Sequence, residues 1–353
     1  MNSAQLKKFL HPITENEPLS NWTTFKIGGP AKYFYKARRS ADLLQAVQVA
    51  EKLTSRRTNG CSPSVLPYLI LGGGSNILIS DKGFDGLVIK VENKEFIVES
   101  SERRRHSSRQ AGSPSAGSAN MKVTCGAGLS IAQLLKKTLD AGLVGLEFMA
   151  GIYGTVGGAV CGNAGAYGQS FGQLVQKAQV YKDGRLQNYT QKQMKYSYRA
   201  SVIKETGGVI INATLVLSPG DAAASRKEIK RIIAERKEKL PSDPSAGSVF
   251  KNIEMDKIKI NIARVAKALD VSEQEFKDAA RFKLPIGFIM DKLGLRGKQI
   301  GGAAVSEKHG NIIINKGNAT AEDVIMLISY IKKQVRDKLG IQLQEEIKCI
   351  GFN

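Results

Sequence analysis

With 353 residues, 42% hydrophobic and 24% charged, 36 glycines and 10 prolines, the chain has the makeup of a globular protein of two or three domains. That makeup excludes a collagen, a disulfide-stapled miniature and a disordered chain. Fifty-two Lys and Arg against 32 Asp and Glu leave a net charge of +20, which favours an acidic partner such as nucleic acid, a nucleotide or a phosphorylated metabolite.

The N-terminal stretch lacks the apolar core of a signal peptide, and no run approaches the ~20 apolar residues of a membrane span. From Ser40, a good N-cap, a helix is expected with Leu43, Leu44, Ala46, Val47 and Ala50 on one side. Thr54 to Pro67, with Arg-Arg, Asn-Gly and two prolines, reads as an insertion. Strands are expected at Leu69 to Leu71 and Gly86 to Val91, separated by the glycine-rich stretch Gly72-Gly73-Gly74-Ser75-Asn76. Ser100 to Asn120 is rich in Ser, Arg and Gly with almost nothing apolar, so it reads as a disordered insertion.

Met121 to Thr124 continues as a strand, and Ser130 caps a helix from Ile131 to Ala141. Gly208 to Leu217 is a further strand, Ser218 to Ala224 an interdomain linker, and Arg226 to Leu240 a basic amphipathic helix. Near the end, Thr320 with Asp323 makes a capping-box-like start. The apolar stripe Val324, Ile325, Leu327, Ile328, Ile331 and Val335 follows, and Gly340 stands where a C′ glycine belongs. Strands and helices alternate throughout, so the class is α/β or α+β. The cysteines (Cys61, Cys125, Cys161, Cys349) show no CxxC spacing, and His11, His106 and His309 are the only histidines. No zinc site is expected, and unpatterned thiols point to a reduced, cytoplasmic setting.

Three stretches carry candidate chemistry. Consecutive glycines at Gly72 to Gly74 let the main chain approach a ligand closely, and with Ser75 can form an anion-binding concavity, although a tight turn explains them equally well. Gly151 to Gly168 has seven glycines in eighteen residues, interleaved with alanine, valine and isoleucine. A flexible linker would lack those apolar residues, so this segment is shaped and packed, as wrapping a pyrophosphate requires. Gly126-Ala-Gly128 mimics a dinucleotide fingerprint but lacks the third glycine and the following acidic residue.

The third group is polar: Tyr196-Ser197-Tyr198-Arg199, Pro244 to Asn252 around Ser248, and Gln344-Glu345-Glu346. A guanidinium can fork onto a carboxylate, and a hydroxyl in a dry site can hand over a proton. Each has a bland alternative: a surface cation, a turn serine, solvated glutamates. No Gly-x-Ser-x-Gly elbow surrounds Ser248, so it suits a proton donor better than a nucleophile.

Taken together and in order, these segments resemble the UDP-N-acetylenolpyruvoylglucosamine reductase (UDP-N-acetylmuramate dehydrogenase) family. The matching pieces are Asn21-Trp-Thr-Thr-Phe25-Lys-Ile-Gly-Gly29, Leu71 to Leu78, Gly145-Leu-Glu-Phe148, the Gly151 to Gly168 stretch, Tyr196 to Arg199, Pro244 to Asn252, Ile300 to His309 and Leu343 to Gly351. They span nearly the whole chain outside the insertions.

The resemblance implies an α+β protein with a vanillyl-alcohol-oxidase-type FAD-binding fold of two subdomains (residues 1–70 and 71–218, with 341–353 returning to the first). A separate α/β substrate-binding domain (219–340) completes it. It implies FAD and NADPH as cofactors, UDP-N-acetylglucosamine enolpyruvate as substrate, no membrane or specific nucleic-acid partner, and a monomer. Gly72, Gly73, Gly74, Ser75, Asn76, Gly151, Gly154, Thr155, Gly157, Gly158, Asn163 and Gly165 match the cofactor-binding positions. Ser248 matches the family's proton donor, and Arg199 and Glu346 match the residues that stabilise the enol-like intermediate. Tyr198, Lys239 and Asn252 match substrate-binding positions.

Some features depart from the family pattern. Tyr153 stands where the flavin loop usually has proline. The Ile253 to Phe288 segment is longer and more charged than in a compact member, and the insertions near Arg56 and Arg103 are atypical. Simple alternation also puts Glu345, not Glu346, in phase with Leu343 and Ile347. Two other readings compete: a flavin oxidase of the same superfamily acting on another substrate, and a basic nucleic-acid-binding protein. The second finds no recognisable binding motif, and its basic residues are scattered.

Overall fold

The computed structural model describes residues 6–55, 66–99 and 120–352. Ser100 to Ala119 and Arg56 to Val65, most of the two expected insertions, lie outside the described residues, as do Cys61 and His106. In chain order the elements are β1 (Ile13–Pro18), β2 (Pro30–Ala37), α1 (Ser40–Ser55), β3 (Tyr68–Leu71), β4 (Ile77–Ile79), β5 (Phe84–Val91) and β6 (Phe96–Glu99). Then come β7 (Met121–Gly126), α2 (Ile131–Asp140), β8 (Leu143–Val144), α3 (Val156–Gly162), β9 (Gly165–Ala166), β10 (Gln169–Ser170), β11 (Val175–Lys182) and β12 (Arg185–Thr190). The middle of the chain adds α4 (Val202–Thr206), β13 (Val209–Pro219), α5 (Ala222–Lys239) and β14 (Ser245–Ser248). The remainder is α6 (Ile262–Ala268), α7 (Glu273–Ala279), α8 (Ile286–Lys292), β15 (Gln299–Ile300), β16 (Ala303–Val305), β17 (Ile312–Asn315), α9 (Ala321–Leu339) and β18 (Lys348–Ile350).

The chain divides into two compact units. Unit 1 comprises Met1–Ile13, Tyr35–Gly73 and Val88–Glu235, and unit 2 comprises Thr14–Phe34, Gly74–Leu87 and Arg236–Asn353. No helix among the described residues is long and apolar enough to cross a membrane.

Unit 1 is organised by an antiparallel sheet in the order β12-β11-β13-β7-β6, with β8 also pairing β13. Val123 sits opposite Leu215 and Cys125 opposite Ala213, all four buried, so the apolar phase of both strands faces one core. Helix α2 shows why it forms. Ile131, Leu134, Leu135, Thr138 and Leu139 bury one stripe, and Ser130 closes a capping box with Gln133. Helix α3 packs against β13 and β7, and its Val156, Ala159 and Val160 are buried. Each such fully buried aliphatic side chain contributes about 1.5–3 kcal/mol.

Unit 2 holds the antiparallel sheet β14-β17-β16-β15 and the parallel pair β18-β4, in which Ile350 lies opposite Ile79. The stripe of α9 (Val324, Leu327, Ile328, Ile331, Val335, Leu339) buries into a core with Phe250, Phe276, Ile289, Val305 and Ile313. The long, charged segment after Asn252 contributes here: Val265, Leu269, Phe276 and Leu284 from α6, α7 and their flanks belong to that core.

Two local expectations need correction. Ser40 is the first residue of α1 rather than its cap; its hydroxyl accepts from Asn93 Nδ2 at 2.9 Å, and Asp42 reaches back to the Arg39 amide at 3.1 Å. Ser218 to Ala224 is not a coil linker. Ser218 and Pro219 complete β13 opposite Val144 and Leu143, and the Asp221 carboxylate caps α5 by accepting from the Ala223 amide at 2.8 Å.

Candidate active site

Within unit 1, β3 ends in the Gly72-Gly73 bend, which lies directly against Gly154-Thr155. A Cβ on Gly73 would come within 2.7 Å of the Gly154 Cα, and one on Gly72 within 2.8 Å of Thr155 Oγ1. Only glycine allows the two main chains to meet. Gly74 adopts φ +63°, and a Cβ there would meet the Trp22 carbonyl oxygen at 2.0 Å. Ser75 continues this bend. Gly151 (φ +73°) and Gly154 (φ +141°) turn the second segment toward α3.

Thr155 caps α3 by accepting from the Gly158 amide. The next amides are consumed internally, Val156 donating to Leu129 O at 2.9 Å and Gly157 to Ala127 O at 2.8 Å. The amides of Gly73, Gly154 and Thr155, in contrast, donate to no protein acceptor among the described residues. Gly157 packs on Ala127 and Gly165 on Gln169 O, whereas a Cβ on Gly158 would meet nothing closer than 3.8 Å.

The end of α3 anchors the arginine turn. Asn163, buried and left-handed at φ 45°, donates from Nδ2 to Ser197 O at 2.8 Å, and its Oδ1 accepts from the Gly172 amide at 2.9 Å. Ser201 Oγ donates to Cys161 O at 2.6 Å. Arg199 itself holds φ +55°, an uncommon conformation for a side-chain-bearing residue. Its Nη2 donates to Gly165 O at 3.2 Å, and the guanidinium lies 5.3 Å from the Tyr198 ring centroid. Tyr196, two residues earlier, has a buried hydroxyl without a hydrogen-bond partner among the described residues, and burial pushes its ionisation well above the usual phenol range.

Unit 2 brings Ser248 and Glu346 into one hydrogen-bonded strip. Ser248 ends β14 opposite Ile312, just after Gly247 at φ +73°. The adjoining Val249 carbonyl accepts from the Glu346 amide at 2.7 Å, and the Lys251 amide donates to Gln344 O at 2.9 Å. Asn311 fastens the Ser248 side of the strip: its Oδ1 accepts from the Phe250 amide at 3.0 Å and its Nδ2 donates to Phe250 O at 2.8 Å. Asn76 fastens the other side, its Nδ2 donating to Glu346 O at 3.0 Å and its carbonyl accepting from Lys348 at 3.0 Å.

Both neighbouring glutamates belong to this backbone contact, Glu345 lying opposite Phe250 in the bridge and the Glu346 amide closing one of its two bonds; the Glu345 side chain forms an ion pair with Lys332 at 2.7 Å. Leu343 and Ile347 are indeed buried, yet the chain is a regular strand only from Lys348, so alternation does not decide which glutamate is functional. Asn252 Oδ1 accepts from the Ile286 amide at 3.2 Å at the start of α8, and Lys239 is the last residue of α5. Arg199 and Tyr198 therefore belong to unit 1, and Ser248, Glu346, Lys239 and Asn252 to unit 2.

One residue absent from the expectations stands out at the glycine bend. Lys90, near the end of β5, donates to the Gly72 carbonyl oxygen. Its signal in the sequence is a cation interrupting the apolar run Leu87-Val88-Ile89 before Val91.

A family model described as UDP-N-acetylenolpyruvoylglucosamine reductase, C-terminal domain, matches residues 238–350, and an FAD binding domain model matches residues 34–189. The chain is 35% identical over 347 residues to the UDP-N-acetylenolpyruvoylglucosamine reductase of Lachnoclostridium phytofermentans, covering 96% of this chain and 93% of that protein. The enzyme of that name from Lactobacillus delbrueckii subsp. bulgaricus is 36% identical over 342 residues, covering 96% and 95%. Among solved structures, UDP-N-acetylenolpyruvylglucosamine reductase from Thermus caldophilus superposes with a TM-score of 0.65 at 25% identity, covering 96% of this chain and 98% of that one. The α+β FAD-binding fold implied by the sequence is the fold found. The chain belongs to the UDP-N-acetylenolpyruvoylglucosamine reductase family and is an FAD-dependent oxidoreductase.

Proposed function

We propose that this enzyme reduces UDP-N-acetylglucosamine enolpyruvate to UDP-N-acetylmuramate with NADPH as reductant, a step in peptidoglycan precursor synthesis. The observation that carries the reading is the strip in unit 2, where the Glu346 backbone is bonded to the residue after Ser248 while the Glu345 side chain pairs with Lys332. Residues 1–70 and 71–218 are read as the FAD-binding subdomains and 219–340 as the substrate domain.

The glycine bends suit a diphosphate: amides of Gly73, Gly154 and Thr155 make no bond to protein among the described residues, and no side chain separates the two main chains. When bound, FAD would supply two-electron hydride chemistry between NADPH and C3 of the enolpyruvyl group. Hydride arrival at C3 pushes an electron pair onto C2 and the adjoining carboxylate. Arg199 is the cation assigned to that carboxylate, where a fork of N–H donors stabilises charge that develops only as the reaction proceeds. Ser248 gives its Oγ proton to C2 and regains one from water. Glu346 is assigned to stabilising the same enol-like species. Tyr198, Lys239 and Asn252 are assigned to substrate binding.

The test is NADPH oxidation by the purified protein with and without UDP-N-acetylglucosamine enolpyruvate. Oxidation that requires this substrate and yields UDP-N-acetylmuramate supports the assignment; a substrate-independent oxidase reaction would replace it with the superfamily alternative.

A further inference from the structure

Beneath the Gly72-Gly73 bend lies a cation to which the assignments above give no role. Lys90 interrupts a strand whose neighbours Leu87, Val88 and Ile89 are fully buried, and β3, which leads into the bend, is the next strand in the same sheet. The Lys90 Nζ donates to the Gly72 carbonyl oxygen. Placing an ammonium in such surroundings is costly. Burial pushes its pKa down from the ordinary lysine value, with Glu92 acting in the opposite direction. A lysine with only a solvated role would extend outward into water.

Peptide geometry shows what the contact does. In a trans peptide the carbonyl oxygen of Gly72 and the amide hydrogen of Gly73 point in opposite directions in one plane. A cation on the oxygen therefore fixes that plane, draws electron density toward the oxygen and makes the amide on the far side a stronger donor. The Gly73 amide donates to no protein acceptor among the described residues, and Gly154 packs against the same residue, where a Cβ would come within 2.7 Å of its Cα.

We propose that Lys90 is a positioning residue of the flavin site, holding the Gly72 carbonyl so that the Gly73 amide is fixed and polarised toward the cofactor's diphosphate. This deepens the FAD-binding reading and rests on the Gly72-Asn76 bend being a diphosphate-binding element. Lys90 acts through a peptide, so its effect falls on the phosphate-bearing part of the ligand and spares the isoalloxazine ring.

The experiment strips flavin from the full-length protein and retitrates it with FAD and with riboflavin, which carries no phosphate, using flavin fluorescence. Release of FAD from the undisturbed holoenzyme on dilution is followed alongside. Lys90→Met is expected to weaken FAD binding roughly tenfold or more, since a charge-assisted contact is removed. It should speed FAD release and leave riboflavin affinity within about twofold. Should Lys90→Met fail to fold, Lys90→Gln keeps a polar donor on a side chain one bond shorter and without the charge, and is expected to show the same selective loss. Parent-like FAD affinity in the folded variants, or equal weakening of FAD and riboflavin, would overturn the assignment while leaving the flavin reading intact. A parent chain that takes up no FAD would overturn both.

Discussion

At the scale of single residues, Ser248 and the Glu345-Glu346 pair carry the sharpest consequences. In the proposed mechanism, removing the Ser248 hydroxyl takes away the proton for C2 but none of the groups assigned to flavin reduction. Ser248→Ala is therefore expected to reduce its flavin with NADPH at the parent rate and to lose about a hundredfold or more in kcat. Stopped-flow reduction beside steady-state turnover separates the two steps, and parent-like turnover would remove Ser248 from the mechanism. For the glutamates, the Lys332 ion pair makes Glu345 a structural partner, partly exposed at its side chain. Glu345→Gln is expected to leave kcat within about twofold, because exposed pairs contribute only ~0–1 kcal/mol. Glu346→Gln is expected to cost about a hundredfold, because an amide cannot replace a carboxylic acid that hands a proton to the developing enol. The reverse ranking would assign the wrong carboxylate. The motif context of Ser248 and Arg199 is local and therefore legible, whereas the bridge that joins residues 249–251 to residues 344–346 is a contact between segments far apart in the chain.

Among the elements, α9 shows what makes a helix readable. Thr320 and Asp323 close a capping box, the apolar stripe recurs at helical spacing, and Gly340 takes φ +74° just past the end. All three signals are local, so they survive without knowledge of the fold. Thr320→Ala is expected to lower stability by about 1 kcal/mol, read as a shift in the urea midpoint with activity per folded molecule unchanged. An unaltered midpoint would mean that Asp323, which also accepts from the Gly302 amide at 3.0 Å, carries the cap alone.

The elements that misled depend on long-range partners. Ser218 to Ala224 has the composition of a linker, yet β8 pairs with its first two residues and Asp221 starts the next helix. Ser40 has the residue type of a cap, but its hydroxyl is occupied by Asn93. In the glycine-rich bends, Gly73 and Gly74 are required first by the protein's own main chain, which composition alone cannot distinguish from a demand made by a ligand.

For the molecule as a whole, acid sensitivity follows from a histidine held neutral in unit 2. Burial pushes His309 below the ordinary imidazole range, with Asp291 opposing and Arg296 reinforcing the shift, and its Nδ1 accepts from the Asn311 amide at 3.2 Å. The unfolded chain protonates first, at about pH 6.5, so stability is undiminished above that value and falls as pH drops toward the lower folded pKa. The urea midpoint is expected to fall between about pH 7 and 5, and His309→Gln should flatten that portion of the profile. An equal slope in the variant would place the acid sensitivity elsewhere.

The most direct measurement is a single turnover under anaerobic conditions. The purified protein is reduced with one equivalent of NADPH, and UDP-N-acetylglucosamine enolpyruvate is then added while the visible flavin absorbance is followed. Return of the oxidised flavin spectrum, with one UDP-N-acetylmuramate formed per flavin, is the expected result. A flavin that stays reduced in the presence of this substrate, while reoxidising normally with oxygen, would contradict the assignment.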